Sequence, residues 1–289
     1  MAWLYQYLIA GCVIQVDSDS EACQQDMQKF LCLYQPVQGC QPDLRFSITK
    51  HQGNYTFSLM VQGVKQELWR SDDEAEVTAA LEIHLYTQII QYLDRQHIMS
   101  VHASAVNIQD KAIMFAGVSG AGKSSICTAA LLDKAYYLSD EFALLDAQGF
   151  LHPFPRPMQW EHPEHPAFKR KDILDTGLIH ADAFDFPAAT GETVRCHLWH
   201  PRHIQRKPLP LCCIVLHQYR ADLRETKLVE IPRHEVLASL PQHLHIQHGL
   251  AKDLPRLNQR VPKRCRYYRL YFSNVKQAWL AIKKEVANV

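Results

Sequence analysis

The apolar positions of this chain change period several times along its length, and each change marks an element. Residues 7–16 are largely apolar and read as a first buried strand. Over Glu21–Leu33, the residues Cys23, Met27, Phe30 and Leu31 recur at helical spacing near one face. Leu44–Lys50 and Tyr55–Val61 alternate on either side of His51-Gln52-Gly53-Asn54, which predicts a β-hairpin, and Val64–Trp69 follows as a short strand. Ser71-Asp72-Asp73-Glu74 then offers helix-capping groups ahead of Ala75–Asp94, whose apolar face is Val77, Leu81, Leu85, Ile89 and Leu93. Residues 1–97 therefore read as a small α+β module. They carry no recognisable chemistry, which leaves packing, homo-oligomerisation or acceptor recognition as roles.

From residue 98 strands and helices alternate, as in an α/β domain that runs to residue 289. Met99–Ile108 is strand-like, Gln109-Asp110-Lys111 a tight connection, and Ala112–Ala116 a short apolar strand that breaks at Gly117. Ile126–Leu132 has the length and spacing of a buried helix. Ala135–Ser139 reads as a return strand that ends at Asp140-Glu141. Phe142–Leu145 and Phe150–Phe154 flank Asp146-Ala147-Gln148-Gly149, a second hairpin signal, and Pro155-Arg156-Pro157 makes a rigid exit. The segment 157–208 lacks a clear period until Thr193–Trp199. Pro210–Gln218 is a strongly apolar strand with Lys227–Ile231 as its expected partner. Arg233–Leu240 reads as a helix ended by Pro241, Tyr268–Phe272 as a strand and Val275–Val286 as a terminal helix.

The chemistry concentrates between the strand and the helix at 112–132. Gly117-x-x-x-x-Gly122-Lys123-Ser124 fits the phosphate-binding P-loop pattern at every fixed position, in the strand–loop–helix order the motif needs. Glycines at 117, 120 and 122 let the backbone curl with its N–H groups inward, and the helix start adds further N–H groups and partial positive charge. Residues Gly117, Val118, Ser119, Gly120, Ala121, Gly122, Lys123, Ser124 and Ser125 are thus the expected nucleotide contacts. Lys123 is placed to reach the β- and γ-phosphates and the Ser124 hydroxyl to ligate Mg²⁺. From Lys123 to Asp140 there is room for one helix and one return strand beside the loop strand. That spacing brings Asp140 and Glu141 to the phosphates, to hold Mg²⁺ or take a proton from an attacking hydroxyl. The pattern predicts a protein that binds a nucleoside triphosphate.

Composition narrows the rest. Charged residues make up 21% and the net charge is +1, so the chain as a whole is not a polyelectrolyte for nucleic acid or membrane. Lys252–Arg269 is a local exception, with seven basic residues and one acid. Outside any recognised nucleic-acid module, it reads as a solvated face or a docking surface for an acidic peptide. Nine cysteines without CxxC spacing point to reduced thiols and a cytoplasmic setting. Ile9-Ala10-Gly11-Cys12 resembles a lipoprotein cleavage site, but no Lys or Arg precedes it and Gln6 interrupts the apolar run. His162-x-x-His165 and His197-x-x-His200-x-x-His203 invite a metal reading, yet Pro163, Pro166 and Pro201 break them up. The segment fits better as a long covering of the site mouth.

Taken together, VHASAV, GVSGAGKSS, LSDEFALL and PFPRP resemble the HPr kinase/phosphorylase-related kinases, well over residues 98–160 and loosely beyond. The resemblance implies a P-loop core akin to that of phosphoenolpyruvate carboxykinase and ATP-dependent phosphorylation of a serine hydroxyl. It places Asp140-Glu141 on the family's acidic pair, one a metal contact and the other a candidate base. It also puts His102 on the histidine of the strand before the P-loop strand, and Arg156 on a basic residue that contacts phosphate. The acidic pair is Asp-Glu where the HPr enzyme has two aspartates, and the glycine-containing signature of the phosphorolytic reaction is absent. The resemblance is therefore to the divergent members that act on peptides, including lasso peptides, or on free serine. The expectation is an α/β serine kinase using ATP and Mg²⁺. A peptide or protein is the expected acceptor, with a small-molecule kinase or a non-catalytic nucleotide sensor as alternatives.

Overall fold

The computed structural model describes residues 3–73, 75–187 and 192–287, so Glu74 of the expected cap and residues 188–191 of the 157–208 segment lie outside the described residues. It is a mixed α/β protein. Among the described residues there are three sheets and seven α-helices, one of them a single turn.

The N-terminal part begins β1 (Trp3–Ile9), β2 (Cys12–Ser18), α1 (Glu21–Leu31), β3 (Gln35–Val37), β4 (Leu44–His51), β5 (Asn54–Val61), β6 (Val64–Ser71) and α2 (Ala75–Arg95). The strands form one sheet in the order β3-β1-β2-β4-β5-β6. Residues 7–16 are not one strand, because Ala10 and Gly11 take left-handed φ of 49° and 84° and fold the chain back. The same turn chemistry joins β4 to β5 at Gln52-Gly53 and β5 to β6 at Gln62-Gly63, all with positive φ at both positions. The helices bury the stripes their periods predict. Cys23, Met27, Phe30 and Leu31 of α1 are buried, as are Val77, Leu81, Leu85, Ile89 and Leu93 of α2, and Phe30 meets Tyr86 edge-on.

The chain continues through β7 (Met99–Ile108), β8 (Lys111–Ala116), α3 (Lys123–Leu132), β9 (Tyr136–Leu145), β10 (Phe150–His152), β11 (Met158–Trp160), α4 (Arg170–Asp172), β12 (Leu178–Pro187), β13 (Thr193–Pro201), β14 (Leu209–Tyr219), β15 (Lys227–Glu230), α5 (Arg233–Ser239), α6 (Leu250–Arg260), β16 (Arg266–Phe272) and α7 (Val275–Ala287). It divides into two compact units that do not follow a single cut near residue 97. The first joins Met1–Leu93 with Arg156–Pro163 and His180–His200, and the second is Asp94–Pro155, Glu164–Ile179 and Pro201–Val289. In the first unit, the added segments carry β11 against β13, with Trp160 and Trp199 rings 4.6 Å apart.

The second unit is built on a seven-stranded sheet, β10-β9-β7-β8-β14-β16-β15. Strands β8, β14 and β16 are parallel, and β7 runs antiparallel to both β8 and β9. One face is covered by α5, α6 and the turn between them, through Val236, Leu240, Leu244, Leu257 and Val261. Helix α3 has Ile126, Cys127, Ala130 and Leu131 buried, and is tied to α7 by Trp279 Nε1 donating to Asp133 Oδ2 at 2.9 Å. Strand β15 pairs with β16 rather than with β14, whose edges are taken by β8 and β16. Helix α6 falls where the sequence reads only as a basic stretch. Three of the seven basic residues of that stretch have intramolecular partners: Arg256 pairs with Asp94, Arg260 donates to the His97 carbonyl, and Arg269 on β16 pairs with Glu235. No helix among the described residues is long and apolar enough to cross a membrane.

Candidate functional site

Strand β8 lies inside the sheet, between β7 and β14, and its Ala112–Ala116 are fully buried. A run of small and branched apolar residues fits there because both faces are covered. The chain leaves at Gly117 and re-enters regular structure at Lys123, the first residue of α3. Between them Gly120 and Gly122 adopt φ of 75° and 95°, which disfavours any residue with a Cβ. At Gly122 the space is also taken, since an added Cβ would stand 2.9 Å from Phe272 Cζ. Gly117 has a different reason to be glycine, with the His217 carbonyl 3.0 Å from where its Cβ would lie.

Gly122 caps α3 without a side chain, and the first turn of the helix holds no acid. The first N–H groups of α3 therefore have neither an intrahelical acceptor nor a side-chain cap, and the positive end of the helix dipole is uncompensated there. Val118 and Ser119 are exposed on the loop, while Ala121 is buried. Lys123 is buried, and its Nζ donates to the Gly117 and Val118 carbonyls at 3.0 and 3.2 Å. Burial lowers the Lys123 pKa, and the charges of Glu141 and Asp140 work against that shift. Ser124 is half-buried at the helix start. The Ser125 hydroxyl lies 3.2 Å from His165 Nε2, and His165 Nδ1 accepts the Ala167 N–H, so Nε2 carries the imidazole hydrogen. Burial holds His165 neutral, with its pKa lowered to about 4.

The acidic pair comes to the same level of the sheet. Strand β9 does not end at Asp140-Glu141 as its apolar run suggests. It continues to Leu145, because β7 extends back to Met99 and supplies partners for residues 142–145. Across the sheet Ala116 stands opposite Ala103 and Ala103 opposite Glu141, while Phe115, Ser104 and Asp140 form the next row. Both acids thus lie level with the last residues of β8, where the loop begins. Asp140 is buried and accepts a 2.7 Å hydrogen bond from the Ser104 hydroxyl at Oδ1. Glu141 is half-buried, with Oε1 2.8 Å from His102 Nδ1 and 3.8 Å from His245 Nε2. Ser124 and Asp140 offer a hydroxyl and a carboxylate, the hard oxygen donors that Mg²⁺ takes.

Beside the loop a cavity of about 290 Å³ is lined by Gly117, Val118, His217, Gln242, His243 and Arg269, among others. His217 is buried, and neither ring nitrogen has a hydrogen-bond partner among the described residues. Burial lowers its pKa to about 4, and the Lys123 and His243 charges push the same way.

Arg156 has a different setting from the one expected of it. It belongs to the first unit, where it pairs with Glu82 at 2.9 Å and its guanidinium carbon is 5.5 Å from the Tyr86 ring centre. Its anion in this structure is a buried carboxylate, and Gln159 donates to the other oxygen of the same group. The histidines of 162–203 also part company. His165 goes to Ser125, His197 lies against His180, and His200 contacts the Lys29 carbonyl. Ser104, His217, His243 and His245 escape sequence reasoning, since each acts only through neighbours far along the chain.

Comparison with protein-family models and with curated proteins finds no match to this chain.

Proposed function

We propose that this chain is an ATP-dependent phosphotransferase of cytoplasmic type, passing the γ-phosphoryl group of MgATP to a serine hydroxyl on a peptide or protein. The observation that carries the reading is the convergence of Lys123 and the uncapped start of α3 with Asp140 and Glu141, level with the loop on a neighbouring strand. The resemblance of VHASAV, GVSGAGKSS and LSDEFALL to the HPr kinase-related kinases supports the same reaction.

In this reading the loop N–H groups, from Gly117 to Ser125, and the Lys123 ammonium take the phosphate oxygens. On transfer, the bond from the γ-phosphorus to the β,γ-bridging oxygen breaks and the bond to the serine oxygen forms. Charge builds on the β-phosphate oxygens, where the Lys123 ammonium would offset it. Ser124 and Asp140 would hold Mg²⁺, which would screen the phosphate charges when bound. Glu141, the more accessible acid, accepts or orients the serine proton, with His102 at 2.8 Å steadying its carboxylate. Positioning and charge stabilisation supply most of the rate.

A kinase for a small hydroxyl compound such as free serine is a second reading, favoured by the roughly 290 Å³ cavity beside Gly117. Incubating the purified protein with γ-labelled ATP and an extract of its own host, beside Lys123→Ala, separates the outcomes. Label on a peptide or protein band that is lost in the variant supports the first reading. Label only in a small molecule moves the assignment to the second. ATP binding with no transfer above the variant refutes both and leaves a nucleotide sensor.

A further inference from the structure

Glu141 is shared with a group that the phosphotransfer reading does not use. His102 on β7, Glu141 on β9 and His245, which follows the short turn after α5, each present one ligand atom, and the three atoms lie within 4.8 Å of one another. Two ligands held by one ion at bonds of about 2.0–2.1 Å stand roughly 3 Å apart. The distances from Glu141 Oε1 to His102 Nδ1 and His245 Nε2 are 2.8 and 3.8 Å, which bracket that spacing.

The surroundings of His245 point the same way. Its Nε2 is buried without a hydrogen-bond partner among the described residues, a costly condition for an imidazole nitrogen. Its Nδ1 lies 3.0 Å from the Ser100 hydroxyl, and its backbone N–H donates to the Ser100 carbonyl at 3.1 Å. With the hydroxyl accepting the Nδ1 hydrogen, the Nε2 lone pair faces Glu141, an outer-sphere arrangement usual for metal-bound histidine. The Phe142 ring, 4.5 Å from that of His245, restricts the imidazole further.

From this geometry we infer a divalent transition-metal site, of the Zn²⁺ class, formed by His102, Glu141 and His245. Two imidazoles and one carboxylate suit such an ion, whereas Mg²⁺ prefers oxygen donors throughout. On binding, the hydrogen of His102 moves from Nδ1 to Nε2 and Nδ1 takes the ion, so no further reactant is required. Water completes the coordination. The binding claim rests on these three side chains alone. Its regulatory consequence rests on the phosphotransfer reading: an ion on Glu141 removes the group that accepts the serine proton, so Zn²⁺ would inhibit transfer while leaving the P-loop able to hold nucleotide.

The test is a Co²⁺ titration of the full chain without nucleotide, followed by visible absorption. The expected result is one tight site per chain with d–d bands and no thiolate-to-metal charge-transfer band, displaced by Zn²⁺. His245→Gln and His102→Gln should abolish that site, and Ser100→Ala should weaken it about 10- to 100-fold. A thiolate band from the same site, binding unchanged in both histidine variants, or no saturable Co²⁺ signal would overturn the proposal. The wild-type spectrum decides this even if a variant fails to fold. Loss of transfer on adding Zn²⁺, with Co²⁺ binding already established, then tests the consequence separately.

Discussion

Replacing loop glycines by alanine separates two costs that the structure assigns to different positions. Gly120 has a φ of 75° with no atom within 4 Å of an added Cβ, so Gly120→Ala meets only the backbone penalty. For a residue with a Cβ in the left-handed region that is about 1–2 kcal/mol. Gly122 has a φ of 95° and also the 2.9 Å approach to Phe272 Cζ. Phe272 is almost wholly buried, with Tyr219 packed 5.7 Å away edge-on, so its ring can yield only by disturbing its neighbours. Overpacking of that kind adds about 1–3 kcal/mol. Gly122→Ala should therefore cost about 2–5 kcal/mol, against about 1–2 for Gly120→Ala. Urea unfolding reads the part expressed as stability, and ATP titration by calorimetry reads the part expressed as loop displacement. Over the two measurements together, Gly122→Ala should be the worse variant by about fivefold or more. Trimming the ring in Gly122→Ala/Phe272→Leu should recover the steric share and leave the backbone share. Equal behaviour of the two single variants, or no recovery in the double one, would refute the geometry assigned to the loop.

Three further outcomes follow from the site and its surroundings. Asp140→Asn should still bind ATP through the loop while loss of a proposed Mg²⁺ ligand lowers transfer sharply, and a parent-like rate in a labelled-ATP assay would remove Asp140 from the reaction. Glu82→Ala removes the buried carboxylate that pairs with Arg156 at 2.9 Å and should cost about 3–5 kcal/mol, read as a lowered denaturation midpoint, whereas a loss below about 1 kcal/mol would mean that the pair contributes no more than an exposed one. His217 and His165 are held neutral down to about pH 4, while the unfolded chain protonates them near the usual 6.5. Between those values the unfolded state binds more protons, so stability is complete above about pH 6.5 and declines as pH falls towards 4, by up to about 3 kcal/mol per histidine. Urea melts at pH 7 and pH 5 should show that loss, smaller in His217→Gln, and a flat profile would contradict it.

Much of this organisation is local and was open to sequence reading. Period alone marks α1, α2 and α7, the β4–β5 hairpin and β7, because each element buries one stripe or one face whatever its partner. The glycine loop is equally local, since Gly117–Ser124 need only a strand before and a helix after. Where the structure differs from the sequence expectation, the cause is longer range or a turn whose signal is weak. Ala10-Gly11 folds residues 7–16 into two strands through left-handed φ, a signal present in the sequence but weak beside the apolar run. The end of β9 and the partner of β15 depend on which neighbouring edge is free, which no window of residues contains. Arg156 carries charge suited to a phosphate, and its pairing with Glu82, far along the chain, is likewise outside any window.

The sequence by itself determined most of the elements and the glycine loop between β8 and α3, because backbone propensity, turn residues and the loop motif act over a few positions. Tertiary structure alone decided the company each side chain keeps. It placed Ser104 on Asp140 and set His245, 104 residues along the chain from Glu141 (245 − 141), within reach of the same carboxylate as His102. Those contacts arise from sheet register and from the helices packed across it, and register is a property of paired strands rather than of any one of them.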